Sequence, residues 1–173
     1  MELFPGGFSK HCLPALLVGR EQAENFYVMI SNRCLYALKA TLELSLRHRN
    51  GPVTIGQIAE AQRIPVRFLE AILRQLKQAG LAASQRGKEG GYTLARPPHE
   101  ITMGMIIRLF EGPLVAFGKT DGDAADGETP GVFDTVWKNA EAALAAVYDA
   151  TDFGALADRE LNRAEIAATN FTI

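Results

Sequence analysis

Cysteine is scarce in this chain of 173 residues: Cys12 and Cys34 are the only two, and none stands after residue 34. Two thiols so placed make no disulfide framework. Cys12 adjoins His11, but no third ligand stands nearby, so a metal site there is not expected. Histidine is equally sparse, at three, and His48 and His99 fall where a surface helix end and a loop are expected. No run of 18 apolar residues occurs, so no membrane helix is expected. The apolar stretch CLPALLVG (12–19) has no cleavage site after it, which points to a cytoplasmic protein. Nucleophile–base pairs and phosphate-binding loops are missing as well, so an enzyme is not expected. A net charge of one strong sign is lacking too, at −2 overall.

That small total hides a division. Residues 29–110 carry +7, residues 1–28 carry −1, and residues 111–173 carry −8. A basic middle beside an acidic last third suits a nucleic-acid-binding module joined to a separate sensing or assembly part. Hydrophobic residues make up 47% of the chain, enough for the core of one domain of ordinary size.

The middle holds the pattern around which the rest is arranged. Thr54 and Gln57 have the spacing of a reciprocal helix cap. A short helix continues to about residue 62, with Ile58 and Ala59 inward. Arg63 and Ile64 make a tight turn, and Pro65 is expected at the first position of a second helix. That helix ends near residue 79, with Gly80 where a left-handed cap is wanted. Leu69, Ile72, Leu73 and Leu76 form its apolar stripe. Arg67, Glu70, Arg74 and Lys77 form the opposite face, with Phe68 near the border. Two short helices with a tight turn predict a helix-turn-helix. Alone, the charged face is equally an ordinary solvated one with a Glu70–Arg74 pair. The residues after Gly80 decide against that. LAAS is a short extended run, QRGKEGGY carries Arg86 and Lys88 on a glycine-rich loop, and YTL returns as a strand. A basic hairpin directly after a helix-turn-helix predicts a wing.

Before this core, a helix is expected over 31–48, capped by Ser31, with Leu35, Leu38, Leu42 and Leu46 inward. Cys34 is expected to be a small helical residue. A redox role is the alternative, since helix N-termini lower thiol pKa values. After Pro97 and Pro98, Thr102 caps a helix over 103–110 with Met103, Ile106, Ile107 and Phe110 inward. Residues 114–130 are expected to be a flexible loop. Its aspartates lack the register of a calcium loop. Residues 131–150 predict a long helix with Phe133, Val136, Trp137, Ala140, Leu144 and Val147 on one stripe that needs a partner. One more short helix is expected from Phe153, with the chain fraying after it. Residues 1–28 are expected to be a flexible extension, with Met29 as the natural start.

Four stretches carry a family resemblance: ISNRCLYALKATLELS (30–45), GPVTIGQIAEAQRIPVRFLEAILRQLKQAGL (51–81), RGKEGGYTLARPP (86–98) and ITMGMIIRLFEGP (101–113). In order and spacing the chain resembles the Rrf2 family of bacterial transcription regulators. The fold this implies is mostly α with a small β wing: a winged helix-turn-helix over 29–113 and a long dimerisation helix with its tail over 131–173. The resemblance implies double-stranded DNA as partner, a homodimer on a palindromic operator, and a repressor. By resemblance, Pro65, Val66, Arg67 and Glu70 face base edges. Arg33, Thr54, Arg74, Arg86, Lys88 and the amides of Gly90 and Gly91 position phosphates or the minor groove. The apolar stripe of 131–150 meets the second subunit. Many relatives hold an iron–sulfur cluster through three cysteines in the loop before that helix. This chain has none there, and Asp134 stands roughly where some carry a histidine. No cofactor is therefore expected, and the signal is expected from a small-molecule or protein effector. The competing reading is an interaction module that regulates a partner protein through the acidic last third.

Overall fold

A computed structural model describes residues 30–87, 90–113 and 133–170. The expectations for 1–28, for Lys88 and for 114–130 lie outside these residues. Six helices and one hairpin stand in order: α1 (Asn32–Leu46), α2 (Ile55–Gln62), α3 (Val66–Gln78), β1 (Ala82–Gln85), β2 (Gly91–Leu94), α4 (Met103–Glu111), α5 (Asp134–Asp149) and α6 (Phe153–Asn170). A single 3-10 turn, Pro98–Glu100, stands between β2 and α4.

Local chemistry accounts for most boundaries. The Ser31 side chain accepts from the Cys34 amide at 3.2 Å and opens α1. Thr54 and Gln57 make both halves of the capping box that opens α2. Arg63 closes α2 in the left-handed region at φ 53°, the one non-glycine residue so placed among those described. Pro65 is the N-cap of α3, one position earlier than expected, because its ψ of 128° is extended. Gly80 takes φ 69° after α3. Its amide donates to the Lys77 carbonyl and that of Leu81 to Leu76, both at 3.0 Å, a Schellman ending.

Helix α1 is the central post, packed by α2, α3, α4 and α6. Its buried side is not the leucine stripe expected. Cys34, Ala37, Ala40, Thr41 and Leu44 are buried, while Leu35, Leu38, Leu42 and Leu46 are half-buried. Small side chains let several helices approach one post, and the leucines fill the flanks. On α3 the expected stripe holds: Leu69, Ile72, Leu73 and Leu76 are essentially inaccessible. Each contributes about 1.5–3 kcal/mol by burial.

The strands pair antiparallel, with Ala82 opposite Leu94 and Gln85 opposite Gly91. Val53 bridges to Tyr92 on the other edge of β2, through amide–carbonyl bonds of 2.8 and 2.9 Å. A Cβ at Gly91 would stand 2.6 Å from the Val53 carbonyl oxygen, so glycine is needed for this close approach.

Helix α6 runs 18 residues, longer than the short helix expected from Phe153. Phe153 at its start is buried in the common core. Its amide donates to Ile101 at 2.9 Å, and Asp152 caps the helix through the Ala155 amide at 2.8 Å. Asp152 also bonds His99 at 3.0 Å. The C-terminal pair is thus fastened to the hairpin domain through this core.

Candidate nucleic-acid interface

The outer face of α3 is exposed along its length. Arg67, Glu70 and Arg74 point away from the core, and Lys77 continues the row. Among the described residues, four ion pairs form: Arg47–Glu43, His99–Asp152, Arg108–Asp149 and Arg163–Glu160. Arg33, Arg67, Arg74 and Arg86 join none of them. The solvated Glu70–Arg74 pair is not formed. A row of guanidinium groups without carboxylate partners is free to meet an external anion.

Arg33 lies beside this face and is held there. Its Nη2 donates to Gln75 Oε1 at 2.5 Å, and its guanidinium stands 5.5 Å over the Phe110 ring. Gln75 Nε2 donates in turn to the Leu109 carbonyl at 3.0 Å, so one side chain joins α1, α3 and α4. Sequence pattern alone assigns Gln75 no role. Its position between the polar and apolar faces of α3 is the signal that could have found it. At the same end of α4, Glu111 accepts from the Ser31 amide and hydroxyl at 2.9 and 2.6 Å. The start of α1, which carries Arg33, is therefore fixed to α4.

The expected site residues divide into two groups. Pro65, Val66, Arg67, Glu70 and Arg74 share the exposed surface of α3 and its approach. Arg86 is exposed just beyond β1. Lys77 Nζ donates to Ser84 Oγ at 2.6 Å and so ties α3 to the hairpin. Other residues have local duties. Thr54 Oγ1 accepts the Gln57 amide at 3.3 Å within the capping box. The Gly90 amide donates to the Gly87 carbonyl at 3.0 Å inside the turn, so it is not open to a phosphate. A Cβ at Gly90 would stand 2.6 Å from the Gln85 oxygen, so this glycine serves close packing.

Cys34 is a fully buried thiol. Burial, followed by the charge of Glu111 and a hydrogen bond to it, pushes its pKa up to about 12. Burial and the neighbouring Glu111 both disfavour the thiolate, which does not support the alternative of an activated thiol. Among the described residues, no group of three or more His, Cys, Asp or Glu side chains could hold a metal ion. No helix among them is long and apolar enough to cross a membrane.

The α5 stripe is largely exposed. Phe133, Val136 and Val147 are more than half exposed and Trp137 is 39% exposed, while Ala140 and Leu144 are half-buried. Phe133 and Trp137 stack at 6.3 Å. The base of α5 is fixed by a two-armed Arg108–Asp149 pair at 2.6 and 2.7 Å. It lies over Gly104, where a Cβ would clash with the Asp149 carboxylate.

This architecture recurs in known regulators. The Rrf2 family model, described as an iron-dependent transcriptional regulator, matches residues 30–159. The HTH-type transcriptional regulator IscR of Aliivibrio salmonicida is 32% identical over 127 residues, 73% of this chain and 76% of that protein. The HTH-type transcriptional regulator CymR of Bacillus subtilis is 40% identical over 85 residues, 49% of this chain and 62% of that one. The structure of B. subtilis CymR, the global cysteine regulator, superposes with a TM-score of 0.65 at 33% identity, covering 75% of this chain and 96% of CymR. That of T. potens IscR gives 0.63 at 31% identity, covering 75% and 87%. With its two-stranded wing and its unpaired basic helix face, the chain belongs to the Rrf2 family of helix-turn-helix, DNA-binding transcriptional regulators.

Proposed function

We propose that this regulator is a homodimeric repressor that reads a palindromic operator through α3, without an iron–sulfur cluster. The observation that carries the reading is the face of α3, where Arg67, Glu70 and Arg74 are exposed and none joins an ion pair. Arg67 is set to bind a guanine through both its O6 and N7, and Glu70 to accept from a cytosine amino group. Arg33, Arg74 and Arg86 supply phosphate contacts, and Lys88, two residues after Arg86 in the sequence, adds a further cation. Thr54 contributes at most through the α2 start that it caps.

Two recognition helices about one DNA turn apart need a dimer. The exposed stripe of α5 supports one, since an isologous pair of such helices buries Phe133, Val136 and Val147 at once. The donor set does not suit a cluster. Cluster iron takes several converging thiolates, whereas the chain has Cys12 and Cys34 alone and Cys34 is buried with its proton held. The signal is then a small molecule or a partner protein, acting in the cytoplasm.

The test is binding of the full chain to the DNA upstream of its own gene and to a scrambled duplex, across a salt series. The expected result is strong preference for the upstream DNA with affinity falling steeply in salt. Equal weak binding to both duplexes, unchanged by cell extract, overturns the reading and leaves the acidic last third as a protein-binding surface.

A further inference from the structure

Phe68 stands in the first turn of α3 and is 44% exposed, although the apolar stripe beside it is sealed. Its ring is not loose. Tyr36 of α1 supports it from one side, with ring centroids 6.1 Å apart at 32°. The Arg67 guanidinium lies over it at 4.6 Å. Asn32, Arg33 and Ala71 complete a cleft around the two rings, and the methyl-sized Ala71 leaves its mouth open. The result is an exposed apolar floor lined by both Arg67 and Arg33, on the helix proposed to read the operator.

A thymine in the major groove presents that combination in reverse. Its 5-methyl group is the apolar point on a base edge, and it lies close to the backbone phosphate of its own strand. We propose that Phe68 is a specificity-determining residue that receives a thymine 5-methyl group in each half-site. Arg67 reads the neighbouring base pair and Arg33 holds the adjacent phosphate. Tyr36 is a positioning residue, since it acts through Phe68. The assignment rests on the operator-reading function proposed for α3 and adds a base preference to it.

The experiment begins with selection of an operator from a random duplex pool by the full chain. Each thymine of that operator is then replaced in turn by deoxyuridine, which removes only the methyl group. The expected result is a loss of about three- to fivefold per half-site at one symmetric thymine, the size of one buried methyl-sized group. Phe68→Ala should bind the thymine and deoxyuridine operators equally while still preferring them to a scrambled duplex. Should Phe68→Ala fail to fold, 5-iododeoxyuridine at the same position provides the second readout. Its iodine takes the place of the methyl group, and photocrosslinking should map to Phe68. Specific binding indifferent to deoxyuridine at every thymine overturns the proposal and leaves the operator-reading function intact, as does a crosslink to another residue. Loss of the dimer in Phe68→Ala together with that indifference assigns the ring to a subunit contact instead. Failure to select any sequence overturns both.

Discussion

Arg67 is exposed, unpaired with any carboxylate and seated on an aromatic ring, so its removal should cost recognition rather than folding. Arg67→Ala is expected to lose about 1–3 kcal/mol of discrimination at one base pair per half-site, with an unchanged melting temperature. Competition binding against single-base operator variants reads this directly, and unaltered preference at every position would reassign the residue. Gly91 has the opposite character. Its missing side chain lets β2 approach Val53, and a methyl group placed 2.6 Å from a carbonyl oxygen forces the strands apart. Gly91→Ala should destabilise the protein by about 1–3 kcal/mol in urea denaturation. Cys34 adds a third outcome. A thiol whose pKa rises to about 12 stays protonated and unreactive, so alkylation at pH 8 should await unfolding. Because the folded pKa lies above the unfolded one, the contribution to stability is complete below the unfolded thiol pKa and is lost as pH rises toward 12.

At the level of elements, caps and stripes within one helix are legible in the sequence, and contacts between distant segments are not. Thr54 with Gln57, Gly80, and the run from Leu69 to Leu76 state their roles through neighbours three or four residues away. Helix α1 departs from its leucine pattern because the residues that meet other helices are the small Cys34, Ala37 and Ala40. Phe153 gives no sign that it enters the core, since its partner Ile101 lies more than fifty residues earlier in the chain. The side-chain bonds of Gln75 are invisible for the same reason, because they reach to α1 and α4.

The joint between α4 and α5 shows what such contacts do. Arg108, through its hydrogen bonds and then its charge, holds Asp149 below the usual carboxylate range. The Ala155 amide, and then His99, do the same for Asp152 at the start of α6. Both groups have lowered folded pKa values. Their contribution is therefore present above the ordinary aspartate range and is lost as pH falls through the folded values. Hydrogen exchange should show the ends of α5 and α6 opening below about pH 4 while α3 stays protected. Loss of α3 protection first would contradict this order. Asp152→Ala, which removes a helix cap, should cost about 1 kcal/mol in thermal unfolding.

For the whole molecule, the distribution of charge matters more than its sum. The +7 of residues 29–110 contrasts with an acidic last third, so nonspecific attraction to DNA is confined to the basic module. Replacing Arg33 or Arg74 by alanine should reduce the salt slope by about 1 per protomer without changing base preference. A slope equal to that of the wild type would remove the residue from the phosphate contacts. The α5 stripe sets the other expectation. Val136→Glu or Val147→Glu places a carboxylate on the apolar face and should shift light-scattering mass from dimer to monomer, with operator affinity falling alongside. A variant that stays dimeric places the subunit contact elsewhere.

The exposed face of α3 contributes almost nothing to the core that its opposite stripe builds. Arg67, Phe68, Glu70 and Arg74 can therefore be exchanged nearly independently of folding, whereas Leu69, Ile72, Leu73 and Leu76 cannot. A gene duplicate could drift to a new promoter by a handful of substitutions on this one helix without passing through an unfolded ancestor. A library randomised at those four exposed positions should yield regulators that are almost all folded and differ chiefly in the promoters they address.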